Sequence, residues 1–346
     1  TMADYKDRKK PFFLFFLFTG LVFTVALTVP LEGRWLLCLL LFIGARVGWA
    51  GANLFYDAFL VDVATPDRMD SVSAKGFGFG YIGSVIPFVA VIGLILSGGL
   101  ADGLPVGQTR MGFIVVVLWW FILSLPAIRN LQQHYYVPPS PNPVVEGFAR
   151  LWKTFKNIRK HRSVFLFLTA YFFYIDGVGT IITMSTAYGR DLGFGIAMLI
   201  TVLLVIQVVA FPCTLLYGRM AARFKTRTLL MTGIIIYCLI TFLAFLLPFI
   251  EGDLARHVLF WTIALLVASS MGGIQALSRS YFSKLIPPEN SAEFFGFYNV
   301  FGKFAAIAGP ALLGIVGRMT GDTRWGVLSI LVLFVIGAWL LMKVED

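Results

Sequence analysis

The stretch Ser73–Ser84, SAKGFGFGYIGS, returns later in the chain as Ser291–Gly302, SAEFFGFYNVFG. Ser, Ala, Phe, Gly and Phe occupy matched positions in the two copies, which lie 218 residues apart. The same offset aligns FYDAFLVD, which starts at Phe55, with GIQALSRS, which starts at Gly273. Because one offset aligns more than one pair of segments, we predict that the chain is built from two similar halves.

The opening of the chain follows the same repeat. ADYKDRKK, from Ala3, falls onto AARFKTRT, from Ala221, so the opening is predicted to be a loop between two helices. In the second half, two predicted helices that start near Ser163 and Ile196 precede this loop. Subtracting the offset places their counterparts before residue 1. We therefore expect two further spans upstream, and about ten of twelve transmembrane helices here.

The composition is that of an integral membrane protein. Of the 346 residues, 58% are hydrophobic and 13% are charged, against about 25% charged in soluble proteins, and the mean hydropathy is +0.84. Runs of about 20 apolar residues, long enough to cross the hydrocarbon core, predict an all-α protein with ten spans. They lie near residues 11–30, 35–62, 76–98, 110–129, 163–187, 194–217, 228–249, 257–282, 293–317 and 325–343.

The distribution of Lys and Arg predicts the orientation of the spans. The basic residues cluster in alternate loops, most densely at 150–162 and 219–227. The positive-inside rule places these loops, and residue 1, on the cytoplasmic side. The compact loops favour a bacterial inner membrane. The predicted division is an N-terminal half at 1–130, a cytoplasmic linker at 131–162 and a C-terminal half at 163–346.

The linker combines a Pro-rich bend with a basic amphipathic helix. One face of this predicted helix carries the apolar residues Phe148, Leu151, Trp152 and Phe155. We interpret the segment as a connection that lies along the inner leaflet. A binding site for a calmodulin-like protein or a lipid regulator is the alternative that the sequence leaves open.

Several other functions are disfavoured by the residues present. The three cysteines stand singly in apolar segments, and the three histidines lie far apart, so we expect no metal site, no cofactor and no enzyme chemistry. The motif GFGYIG, Gly78–Gly83, has the spacing of a dinucleotide-binding loop but follows a charged loop rather than a strand. The positive charge of +10 is explained by the loops, so no nucleic-acid partner is expected.

Two charged residues fall well inside predicted spans. Asp176 lies about a dozen residues into its span, where an unpaired carboxylate is expensive and must be protonated or partnered. It is our first candidate for proton coupling or substrate contact, and a fixed ion pair or a helix cap is the alternative. Arg46 lies near mid-membrane, where a guanidinium can bind a substrate carboxylate bidentately. A pair with an acid on an upstream helix is equally compatible with its position.

Further polar residues are candidates for the transport pathway. Asp57 and Asp62 lie near one end of the same helix but on different faces, because five residues turn a helix by about 500°. For Asp57 the sequence does not separate a gate from a site. The remaining pathway candidates are Gln275, Asn299 and Lys303; the first two could equally serve as interhelical hydrogen-bonding residues.

The second-half loop YGRMAARFKTR resembles the loop signature of the major facilitator superfamily, as does the opening of the chain. Asp4, Arg8 and Lys9 match that signature, whereas Asp7 replaces its second glycine. The resemblance implies the major facilitator fold and a cytoplasmic gate in which Asp62 pairs with Arg8. The further gate candidates at this membrane boundary are Asp4, Arg279 and Glu293.

Longer motifs are similar to one branch of that superfamily. NLFYDAFLVDVA, FYIDGVGTII, GGIQALSRSYFSKLIP and AEFFGFYNVFGKFAAIAGP resemble the branch of the yeast vacuolar amino-acid effluxer linked to autophagy and its bacterial relatives. The resemblance implies export of an amino acid, and the two similar halves predict a secondary transporter that works by alternating access. We expect a monomer, with protons and membrane lipids as further partners. A lipid or lysolipid transporter, and a non-transporting receptor or scaffold, are the competing hypotheses.

Overall fold

A computed structural model describes residues 2–30, 33–99, 104–138, 142, 145–147, 149, 152 and 161–345. Twelve α-helices account for most of these residues. They are α1 Lys9–Ala26, α2 Trp35–Ala58, α3 Leu60–Val63, α4 Met69–Ser97, α5 Val106–Asn130, α6 Arg162–Asp191, α7 Ile196–Met220, α8 Thr226–Leu246, α9 Asp253–Leu285, α10 Ser291–Thr320, α11 Thr323–Ser329 and α12 Leu331–Met342.

The predicted number of membrane spans is confirmed. Within the described ranges, ten helical spans are long and apolar enough to cross a membrane, with α2 and α3 counted as one span and α11 and α12 as another. Several helices extend beyond their predicted apolar runs. Helix α4 begins at Met69 rather than near residue 76, because a hydropathy pattern marks only the hydrocarbon-spanning part and misses polar first turns.

The chain forms two compact units. The first contains the described residues of Thr1–Thr65, Gly83–Lys153 and Pro287–Gly296. Its core packs α1 against α2, and the buried apolar side chains are Phe13, Leu17, Leu21, Ala52 and Phe59. A Cβ at Gly48 of α2 would lie 2.2 Å from the backbone nitrogen of Gly20 of α1. Glycine is therefore required where the two helix backbones meet.

The second unit contains the described residues of Pro66–Ile82, Thr154–Ile286 and Phe297–Asp346. Aromatic side chains pack α6, α9 and α10 together. The rings of Tyr171 and Tyr298 stack with their centroids 4.2 Å apart, and Phe282 stacks on Tyr298 at 4.9 Å. The hydroxyl groups of Tyr174 and Ser278 lie 2.6 Å apart and join α6 to α9. Aromatic contact and a buried hydrogen bond thus fix these three helices.

The predicted linker is described only in part. Its first residues are extended, and the N–H of Val137 donates to the carbonyl of Asp4 at 2.9 Å. On the predicted amphipathic face, Phe148, Leu151 and Phe155 lie outside the described residues, and Trp152 is helical and exposed. The division of the chain at this linker stays a prediction.

Candidate functional site

A buried ion pair joins the beginning of α1 to the end of α3 in the first unit. Lys9 is the first residue of α1, and its Nζ lies 2.5 Å from Oδ2 of Asp62. Both side chains are completely buried. The same Nζ donates to Oγ of Ser291 at 2.8 Å and to the carbonyl of Ala58 at 3.4 Å. A buried ammonium with three acceptors is well satisfied.

The expected pair of Asp62 with Arg8 is wrong. Arg8 is exposed and stands just before α1, whereas its neighbour Lys9 points at the acid. The reason is local geometry, because Asp7 has a φ of 58° and this left-handed turn sets the residue from which the helix begins. The other oxygen of Asp62 accepts from the backbone N–H groups of His134 and Tyr135, at 2.8 and 3.1 Å.

Asp4 caps the beginning of α10. Its carboxylate is buried and accepts from the backbone N–H groups of Ala292 and Glu293, at 2.8 and 3.1 Å. An anion is favoured there because the first N–H groups of a helix have no partner within the helix. Glu293 is also buried, and neither of its carboxylate oxygens has a hydrogen-bond partner among the described residues. The structure therefore brings together Asp4 and Glu293 of the predicted gate.

A second buried acid, Asp70, lies in the first turn of α4 in the second unit. Oδ2 of Asp70 lies 2.5 Å from Nζ of Lys284 and accepts from the hydroxyl of Thr226 at 2.8 Å. Oδ1 accepts from the hydroxyl of Ser280 at 2.6 Å. These contacts join α4 to the end of α9 and the beginning of α8 through a single carboxylate.

Arg279, a predicted gate residue, lies in the same unit and contacts α4. Its Nε donates to Oγ of Ser73 at 3.0 Å, and NH2 donates to the Ser73 carbonyl at 3.1 Å. Oγ of Ser73 donates in turn to the carbonyl of Ala276 at 2.6 Å. The guanidinium also lies over the ring of Phe77, 4.7 Å from its centroid. Arg279 thus holds the second turn of α4 against α9.

Several residues of these polar clusters were not among the candidates predicted from the sequence. They are Lys9, Asp70, Thr226, Ser280, Lys284 and Ser291. Asp70 stands three residues before Ser73, where the repeat begins, but the offset places Pro288 at its counterpart, so the repeat did not mark this acid. Thr226 and Ser280 gave no signal either, since an uncharged hydroxyl group at a helix end is common.

Asp176 lies inside α6, and its side chain is completely buried. The hydroxyl of Thr180 and the backbone of Gly309 are beside the carboxyl group. Neither oxygen of Asp176 meets a partner at hydrogen-bond geometry within the described residues, and neither does Oγ1 of Thr180. A Cβ at Gly309 would lie 2.7 Å from Oδ1 of Asp176 and 2.0 Å from Oγ1 of Thr180. The close approach of α10 to α6 therefore depends on this glycine.

Arg46 has a different environment, in the first unit. It is exposed, and its guanidinium lies over the ring of Trp49 in the same helix, 4.6 Å from the centroid. No ion pair of Arg46 is found in the described part of the chain. The other pathway candidates are half-buried or exposed: Asp57, Gln275 and Asn299 are half-buried, and Lys303 is exposed.

Comparison with known proteins identifies the family. The model of the family described as "Vacuole effluxer Atg22 like" matches residues 1–346. A relative from Bacillus subtilis strain 168, the "Uncharacterized MFS-type transporter YxiO", is 48% identical, with 100% of this chain and 80% of the relative covered. The "Autophagy-related protein 22" of Botryotinia fuckeliana is 27% identical over 75% of this chain. The chain spans about half of that fungal relative, 48% of its length.

Solved structures confirm the predicted fold. The fucose:proton symporter FucP of E. coli matches with a TM-score of 0.72 and 16% identity, over 98% of this chain and 84% of that one. A bacterial homologue of the iron transporter ferroportin, in an outward-facing state, matches with a TM-score of 0.62 and 14% identity, over 97% and 81%. These relatives and neighbours are transporters rather than enzymes. The chain belongs to the Vacuole effluxer Atg22 like family and is a multi-pass membrane transporter with the major facilitator fold.

Proposed function

We propose that this protein transports an amino acid across a bacterial inner membrane by alternating access, and that a proton bound at Asp176 drives the movement. The observation that carries this proposal is the buried carboxyl group of Asp176, which has no hydrogen-bond partner among the described residues. Ionisable groups inside a membrane are expensive, and they commonly mark ion pathways and proton relays.

A proton is the ion best suited to this position. Among the described residues, the groups beside the carboxyl are one hydroxyl, from Thr180, and the backbone of Gly309. A metal cation requires several oxygen ligands, whereas a single proton neutralises a carboxylate without any. Because the approach of Gly309 is so close, release of the proton requires α10 to move away from α6 or requires water to enter.

Arg46 supports an amino acid as the transported solute. Its guanidinium is exposed on α2, and the described residues supply no acid to it. A planar guanidinium binds a carboxylate through two parallel hydrogen bonds, which gives both affinity and orientation. The family description as a vacuole effluxer is compatible with the export of a metabolite.

We propose that Asp4, Asp62 and Glu293 of the first unit are gate residues on the cytoplasmic side with residue 1, with Lys9 in place of Arg8 as the basic partner of Asp62. Arg279 of the second unit is proposed as a further gate residue. The basic loops support this orientation through the positive-inside rule. We further propose that the protein functions as a monomer in contact with membrane lipids.

Uptake into proteoliposomes tests this function. Purified protein is reconstituted, a proton gradient is imposed, and the entry of a labelled amino-acid mixture is measured. We expect uptake that depends on the gradient and is lost in Asp176→Asn. The matched control is Asp253→Asn, since Asp253 begins α9 and its side chain is 88% exposed.

The role of Arg46 is tested in the same assay. Arg46→Lys should raise the KM for the amino acid, because one ammonium cannot form both hydrogen bonds to its carboxylate.

Two results would contradict parts of this proposed function. Gradient-dependent uptake that survives in Asp176→Asn removes this residue from coupling. Folded protein that takes up no amino acid removes the proposed solute, and lipids become the next substrates to measure in the same vesicles.

A further inference from the structure

The two buried acids Asp62 and Asp70 both lie near helix ends, and each is bound by a lysine. Lys9 Nζ lies 2.5 Å from Oδ2 of Asp62, and Lys284 Nζ lies 2.5 Å from Oδ2 of Asp70. Lys9 and Asp62 both belong to the first half of the sequence, before residue 131. The second pair is mixed, because Asp70 belongs to the first half and Lys284 to the second half, after residue 162.

The surroundings of the two ion pairs are related by the internal repeat. The offset of 218 residues carries Ser73 onto Ser291 and Ala58 onto Ala276. Ser73 donates to the Ala276 carbonyl at 2.6 Å. Ser291 and the Ala58 carbonyl are joined by Lys9, at 2.8 and 3.4 Å. Each unit therefore contains one junction, by which we mean a hydrogen-bonded contact between a serine of one sequence half and an alanine carbonyl of the other half. The contact is direct in the second unit and passes through Lys9 in the first.

Asp62 and Asp70 do not follow the internal repeat. The offset carries Asp62 onto Ser280 and Asp70 onto Pro288, so neither acid has an acidic counterpart. Ser280 nevertheless occupies a comparable place, since its hydroxyl donates to Oδ1 of Asp70 at 2.6 Å. At the junction of the second unit, the acid Asp70 thus comes from the first half of the sequence. The partners described above for that acid, Ser280, Thr226 and Lys284, all lie in the second half.

We propose that Asp70 is the positioning residue that controls separation of the two sequence halves, and that the Asp70–Lys284 ion pair, rather than Lys9–Asp62, is the one broken in each transport cycle. This inference rests on the proposed alternating access, in which the halves separate on one side. When they separate, Lys9 and Asp62 remain together in the same half. Asp70 must leave Lys284 and two hydroxyl donors at once.

The degree of burial fits this division of roles. Lys9 and Asp62 are both completely buried, as a permanent pair inside one half should be. The side chains of Lys284 and Asp70 are 28% and 8% exposed. Both can therefore be rehydrated after small movements, and rehydration lowers the desolvation cost of breaking the pair. A pair that opens in every cycle requires this access to water.

Distance measurements between spin labels test the inference without substrate or gradient. Labels are attached at Arg68→Cys and Arg223→Cys, which are exposed loop positions of the second unit from the first and second halves. The protein is reconstituted in liposomes, and its three native cysteines, Cys38, Cys213 and Cys238, are replaced by alanine. Two matched double variants are compared. Asp70→Asn/Lys284→Gln neutralises the mixed pair, and Lys9→Gln/Asp62→Asn neutralises the pair within one half.

We expect Asp70→Asn/Lys284→Gln to raise the ratio of the long-distance to the short-distance population by about tenfold, since charge-assisted hydrogen bonds are lost. Lys9→Gln/Asp62→Asn should leave the ratio unchanged within about twofold, because its hydrogen bonds to a neutral partner can persist. The charge reversal Asp70→Lys/Lys284→Asp should restore the short distance. A residue that merely stabilised the fold would lower thermal stability without shifting this ratio.

Three results would overturn the inference: an unchanged ratio in Asp70→Asn/Lys284→Gln, an equal shift in both double variants, or a single distance in every variant. Should a double variant fail to fold, Lys284→Gln alone gives the same comparison, since Lys284 is partly exposed. The distances are independent of the transported solute. Failure of amino-acid uptake together with the expected shift would therefore remove the proposed substrate and leave the role of Asp70 in place.

Discussion

Nζ of Lys9 lies 2.5 Å from Oδ2 of Asp62, and solvent reaches neither side chain. Backbone N–H groups of His134 and Tyr135 bind the other carboxylate oxygen. Desolvation of two charges is costly, and the cost is offset only where the remaining hydrogen-bonding positions are satisfied. In this pair they are satisfied by the linker backbone on one side and by Ser291 on the other.

Removal of the lysine should therefore be strongly destabilising. Lys9→Met leaves Asp62 as a buried charge without a cation, and we expect the free energy of unfolding to fall by about 3–5 kcal/mol. Unfolding by SDS titration in mixed micelles measures this change. The double variant Lys9→Met/Asp62→Leu removes both charges and should lose clearly less. An equal loss in the two variants would show that packing of the lysine stem, rather than charge, is responsible.

A second prediction concerns Asp7, whose φ is 58°. This left-handed conformation is costly for a β-branched side chain but tolerated by glycine, asparagine and aspartate. Asp7→Val should lower the free energy of unfolding by about 1–2 kcal/mol. Asp7→Gly and Asp7→Asn should fold with little loss. Because Asp7 is exposed, a large loss in Asp7→Asn would point to an interaction of the carboxylate instead of backbone strain.

The same turn shows how much of the proposed gate could be predicted from the sequence. The loop signature predicted a basic residue opposite Asp62, and the replacement of its second glycine by Asp7 was visible in the sequence. The choice between Arg8 and Lys9 was not, because adjacent residues of a helix point about 100° apart. Which of them faces the acid depends on where the turn at Asp7 lets α1 begin.

The ten spans and the repeat were predictable, because both follow from hydrophobic runs and from sequence identity at a fixed offset. Asp70 was not, for two physical reasons. It lies in a polar first turn that hydropathy assigns to a loop, and the repeat places Pro288 at its counterpart. Its partners Thr226 and Lys284 are distant in sequence, and only folding brings them within hydrogen-bond distance.

A third prediction concerns Gly309 in α10. Gly309→Ala places a methyl group 2.0 Å from Oγ1 of Thr180 and 2.7 Å from Oδ1 of Asp176, so α10 must move or the side chains must rotate. Overpacking of this kind costs about 1–3 kcal/mol. We expect a lower melting temperature in detergent and impaired uptake in the proteoliposome assay.

Gly314 provides the control in the same helix. A Cβ there meets nothing within 4 Å, so Gly314→Ala should be neutral, or stabilising by up to about 1 kcal/mol through helix propensity. Thr180→Ala should partly rescue Gly309→Ala, because it removes the nearer contact. If both glycine variants behave alike, close packing at Gly309 is not what limits this position.

The last prediction separates a coupling role for Asp176 from a structural one. A carboxylate held in a fixed ion pair or a cap loses a partner when it is changed to asparagine, and a broken buried pair costs about 3–5 kcal/mol. Asp176 has no hydrogen-bond partner to lose among the described residues. We therefore expect Asp176→Asn to lower the free energy of unfolding by clearly less than Lys9→Met does, even though proton-driven uptake is lost. SDS titration and uptake are measured on the same preparation, with Lys9→Met as the destabilised reference.

A loss of stability in Asp176→Asn as large as that of Lys9→Met would assign a structural role in α6 to this carboxyl group. Proton coupling would then have to be sought at another acid such as Glu293, whose carboxylate oxygens are also buried.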